Sequence, residues 1–153
     1  MTSFTRLLAG LVLIAGGSAP ATAQDAAQDT AQDHVTPTPA LSVELNAVEP
    51  QQGACRLVFV VENNLGADLS SLVLEAVVFD TAGKVTLLTL FDFRDVPDAR
   101  PRVRQFDLAG ADCTALGRVL LNDVQACVGT GIAAAACKAG LRWSSCTEIE
   151  VLG

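Results

Sequence analysis

The chain has 153 residues, with ten Lys+Arg against seventeen Asp+Glu, five cysteines and a single histidine. That length holds one domain. Its net charge of −7 excludes a protein built to grip a phosphate backbone, which needs a positive face.

Residues 1–23 predict a secretory signal peptide. "MTSFTR" supplies a short basic start at Arg6, "LLAGLVLIAGG" an apolar run, and "SAPATA" the small residues that place cleavage near Ala23. The run has eleven residues, short of the roughly 20 that span a bilayer. Losing Arg6 leaves nine basic against seventeen acidic side chains, a net of −8. Export to the periplasm is expected. The acidity disfavours an anionic membrane surface, and no membrane insertion is expected after cleavage.

Residues 24–40, "QDAAQDTAQDHVTPTPA", read as a disordered linker. Its repeated "AQD" offers a helix no apolar face, and Pro37 and Pro39 impose extended backbone without amide donors. His34 lies here, outside the folded body.

From Leu41 onward the pattern has period two, which places alternate residues on opposite faces of a strand. Leu41, Val43, Leu45 and Ala47 share one face; Cys55, Leu57, Phe59 and Val61 share another. Leu72, Leu74, Ala76 and Val78 follow, then a turn at Gly83, then Val85, Leu87, Thr89, Phe91 and Phe93. "RDVPDARPR" reads as a loop, "VRQFDL" and "RVLLNDV" as short strands, and "LRWSSCTEIEVLG" as a final extended segment with Trp143 facing the core. One small-residue stretch has helical character. Seven or eight short strands with frequent turns, and no long amphipathic helix between any pair, predict an all-β, immunoglobulin-like sandwich over 41–153.

The cysteines are expected to be staples. They stand 58, 14, 10 and 9 residues apart, with no close pair of the kind that holds structural zinc. No histidine in the folded body is available to activate a thiol or a serine. Five choices of free thiol times three pairings give fifteen arrangements. The expected pairs are Cys127–Cys137, closing a small-residue loop, and Cys55–Cys113, joining distant parts of the fold. Cys146 is left over on the polar parity of its strand. A free thiol is expected there, with a link between two copies or a different intramolecular partner as alternatives.

Asp92, Asp95 and Asp112 do not assemble into an acid pair by sequence, and Asp68, Asp80, Asp98 and Asp107 read as turn or strand-end residues. No catalytic residue, cofactor or metal is expected. Arg100, Arg102 and Arg104 recur at every second position, with Arg94 upstream. They are candidate contacts for an acidic partner, set against ordinary protection of a strand edge by charge.

Residues 58–108 resemble the FxLYD-type immunoglobulin-like domains of exported bacterial proteins. The resemblance is carried by the asparagine-rich bend at Asn63–Asn64, the Phe79–Asp80 strand end, the glycine turn and the later aromatic at Phe106. The string from "GACRLVFVVEN" to "GRVLLNDVQAC" also resembles small periplasmic proteins of alphaproteobacteria. Those carry cysteines aligned with Cys55, Cys113, Cys127 and Cys137, and serine in place of Cys146. The resemblance implies a non-enzymatic accessory or interaction domain. The expected function is therefore contact with another protein, by a monomer or a dimer linked through Cys146. The alternative is a small-ligand carrier using an inter-sheet pocket or a groove beside Arg100–Arg104.

Overall fold

The computed structural model describes residues 40–153, so the signal peptide expected over 1–23, His34 and the rest of the linker up to residue 39 lie outside the described residues. In chain order the elements are β1 (Leu41–Gln51), β2 (Ala54–Asn63), β3 (Leu69–Asp80), β4 (Val85–Val96) and β5 (Arg102–Ala109). After a 3₁₀ turn at Cys113–Ala115 come β6 (Leu116–Gly129), α1 (Ala134–Gly140), β7 (Leu141–Ser145) and β8 (Glu150–Leu152).

These strands make two four-stranded sheets, ordered β5-β2-β1-β7 and β4-β3-β6-β8. The apolar faces expected from alternation turn toward each other. Leu41, Val43 and Leu45 of β1 and Leu57, Phe59 and Val61 of β2 are buried against Leu72, Leu74, Ala76 and Val78 of β3. Each such side chain removed from water contributes about 1.5–3 kcal/mol, so this one layer supplies the main drive to fold. The sandwich follows from the sequence pattern.

Departures from strict alternation occur where the ladder takes in an extra residue. Asn46 is such a residue in β1, so beyond it Val48 and not Ala47 lies opposite the buried Leu57 and packs on the core. Thr86 is another in β4, which leaves Val85 opposite Phe79 and half exposed, not inside as the pattern predicts. A third lies at Phe93, next to Arg94, whose φ of 60° is left-handed. Asp92 Oδ1 accepts the Arg94 N–H and holds that kink. The kink turns Val96, not Asp95, into the core and carries β4 into what reads as loop.

β6 is longer than the stretch 118–124 suggests, because it absorbs several such extra residues along β3. One is Gly117. A Cβ at that position would meet the Asp80 carbonyl closer than atoms pack, so only glycine lets the two strands approach there.

The helical stretch is α1, with seven residues and no side-chain cap at its N-terminus. A helix so short does not hold itself in water. It is pinned by the Cys127–Cys137 disulfide, with Cys137 fully buried. The final segment is not one strand. β7 pairs in parallel with β1, and after a bend at Cys146–Ile149 the chain crosses to the other sheet, where β8 pairs in parallel with β6.

Candidate functional site

Both staples form as the sequence suggests. Cys55–Cys113 ties β2 to the 3₁₀ turn over 58 residues, and Cys127–Cys137 ties β6 to α1 over 10. In the chain-entropy picture, rings of these sizes limit the unfolded state by about 4 and about 3 kcal/mol. Cys146 is free and exposed in the crossover bend. A hydrogen bond to Glu44 pushes its thiol above the usual range, so it stands as a weak nucleophile. Trp143 is on the inward parity of β7, but β7 is an edge strand and the residue is 38% exposed.

The aspartates are each engaged locally. Asp80 Oδ1 accepts the N–H groups of Ala82 and Lys84 and shapes the β3–β4 hairpin. Asp112 accepts from the Thr114 amide and hydroxyl, which hold its carboxyl below the usual range. Asp68 and Asp98 bind backbone amides of neighbouring bends, and Asp107 pairs with Arg56 across β2–β5 at 2.7 Å. Among the described residues no three of His, Cys, Asp and Glu gather to hold a metal ion.

The arginines divide. Arg104 points from β5 toward the other sheet, where its Nε donates to the Phe93 carbonyl at 2.7 Å and its Nη2 to the Asp95 carbonyl at 2.9 Å. Arg102 Nε lies 3.7 Å from Asp95 Oδ2. These two guanidinium groups clasp the edge of one sheet to the edge of the other. Arg94 and Arg100 are exposed. The geometry thus brings Arg94 beside Arg104 in one groove but does not assemble a ridge of four free charges.

Beneath the clasp lies an aromatic cluster. Phe106 of β5 stacks on Phe91 of β4 at 4.5 Å and meets Phe93 edge-on at 5.2 Å, while Phe59 of β2 packs against all three. β4 and β5 are outer strands of opposite sheets, and this cluster seals the side of the sandwich where they face. Outside the seal, an open groove of about 520 Å³ runs between Leu90, Asp92, Arg94, Val103 and Gln105.

The sequence reading missed what surrounds that groove. Among the described residues, seven large apolar side chains are exposed, and five of them, Val85, Leu87, Leu88, Leu90 and Val103, lie on β4 and β5. Leu88 and Leu90 are 62% and 55% exposed. The outer face of the sheet stays apolar along the row Leu88–Val77–Leu120–Leu152, but only Leu88 of these is exposed; Val77 is buried, and Leu120 and Leu152 are half-buried. The signal was present in "KVTLLTLFDF", whose alternate face is Leu88 and Leu90 where a solvated strand would carry polar residues. Comparison with known proteins gives no matching family model, no matching curated protein and no matching solved structure.

Proposed function

We infer that the protein is a non-catalytic binding or accessory domain of the periplasm that contacts another protein through the β4–β5 side of its sandwich. The observation that carries this reading is the concentration of exposed apolar side chains on two facing edge strands. A surface of that kind costs solubility unless something covers it. Two disulfides suit an oxidising compartment. The resemblance to exported FxLYD-type domains points the same way. In the second reading, a small-ligand carrier, the open groove beside Arg104 would be the binding site. The gap between the sheets on that side is filled by phenylalanine, which favours a surface contact over an enclosed ligand.

The test is co-purification of the tagged, natively exported protein, compared with the double variant Leu88→Lys/Leu90→Lys. Both positions are exposed, so the variant is expected to melt as the parent does while recovering at least about tenfold less partner. Equal recovery of the same partner by both proteins contradicts this assignment of the surface.

A further inference from the structure

The alternation of β1 begins upstream of the strand itself. In "VTPTPALSVEL", residues 35–45, Val35, Pro37 and Pro39 share the parity of Leu41, Val43 and Leu45, while Thr36 and Thr38 share that of Ser42 and Glu44. Leu41, Val43 and Leu45 are fully buried. Period two therefore assigns three more apolar side chains to the core-facing side.

β1 is an inner strand, held between β2 and β7. Leu41 lies opposite Asn63 on one side and Leu141 on the other, and the Ala40 carbonyl accepts the Asn64 N–H at 2.9 Å. Upstream of that point both flanking strands have ended. Leu65 of the β2–β3 bend comes next on the first side, and Gly140, the last residue of α1, on the second. An apolar groove of about 410 Å³ opens there, lined by Leu65, Ile132, Ala133, Ala136, Ala139 and Gly140. Leu65 and Ile132 are half-buried and pack on the core, whereas the three alanines are exposed. The groove continues the slot that β1 occupies.

Its length matches the chain that precedes β1. The six steps from Ala133 to Ala139 rise about 9 Å, at about 1.5 Å per residue. Three residues of extended, proline-rich backbone cover that distance, at about 3.1 Å each. Residues 37–39 would then run along α1, and Val35 would come to Ile132. A helix and a bend offer no strand ladder on either side, and Pro37 and Pro39 have no N–H to leave unsatisfied there.

We propose that residues 35–39 of this same chain fill the groove between Leu65 and α1, as an extended strap that carries the β1 alternation past the end of the sheet. The folded body then begins at Val35, ahead of its first strand, and the groove belongs to the protein's own chain and not to a ligand. The proposal stands apart from the reading of the β4–β5 side.

The test is ¹³C-edited NMR of the purified protein, which reads contacts from Val35, Pro37 and Pro39 to the methyl groups of Leu65, Ile132 and Ala136. Those contacts are expected. Ala136→Lys, at an exposed position, is expected to remove them by obstructing the groove while the signals of both sheets stay in place. The triple variant Val35→Ser/Pro37→Ser/Pro39→Ser is expected to lower the melting temperature by about 4 °C. Adding Ala136→Lys to it is expected to lower it little further, because both changes remove the same contact. Random-coil signals for residues 35–39 without contacts overturn the inference, as does a triple variant that melts with the parent. Contacts seen only between differently labelled copies also overturn it, since the occupant is then another chain's segment.

Discussion

Asn63 is the only polar residue classed as buried among the described residues. Its Nδ2 donates to the carbonyls of Ala67 and Val96 at 2.8 and 2.9 Å, and its Oδ1 accepts the Leu65 N–H. One side chain thereby satisfies the β2–β3 bend and fastens the end of β4 to it. Alanine at this position would strand two carbonyls and an amide away from water. Asn63→Ala is expected to cost about 3 kcal/mol in urea unfolding, with an unchanged slope. A loss under about 1 kcal/mol would mean that water replaces the amide. This residue was legible in part. It continues the parity of Cys55, Leu57, Phe59 and Val61, which marks it as inward, but at the edge of an asparagine-rich bend the same residue type is also an ordinary turn former.

At the scale of elements, the arginines show how a correct pattern can carry the wrong surroundings. Arg102 and Arg104 share a parity, as their spacing says. That parity also contains Phe106 and Leu108, which face inward, so the two guanidinium groups reach toward β4 and only the stretch past Phe91 receives them. Arg104→Ala is expected to lower stability by about 2 kcal/mol, since its fork satisfies two carbonyls and a carboxylate and its side chain is only 20% exposed. Arg100→Ala is expected to stay within about 0.5 kcal/mol, as a surface change does. Equal effects from thermal melts of the two variants would mean that the clasp does no structural work. Bulges hid the rest. An extra residue at Asn46, Thr86, Phe93 or Gly117 reverses parity, and no residue type announces it in a single sequence.

For the whole molecule, the staples and the two-sheet core were legible because cysteine spacing and the period-two alternation of apolar residues point the same way. The exposed apolar side of β4 was legible only as a strand apolar on both faces, because an exposed apolar strand edge and a core strand have the same composition. They are separated only by whether a neighbour lies beside them. The charge pattern makes a further global prediction. Asp112, Asp107 and Asp123 are held below the usual carboxylate range, by Thr114, Arg56 and Lys138 respectively. A carboxyl whose folded value is depressed adds stability above its unfolded value near 4, and loses that share as pH falls through the folded value. The described residues contain no histidine. The melting temperature is therefore expected to stay flat from about pH 8 to about pH 5 and to decline below about pH 4. A step between about pH 6 and 7 in calorimetry would contradict this.

The claim on which the functional account depends is that contact occurs on the β4–β5 side. A photo-reactive amino acid placed in the protein at Leu90 or Val103, and in separate samples at Ser42 or Arg142 at the far, β1–β7 end of the β5-β2-β1-β7 sheet, tests it in the intact cell. The account predicts covalent adducts from Leu90 and Val103 and none from Ser42 and Arg142. Adducts from Ser42 and Arg142 alone would contradict it.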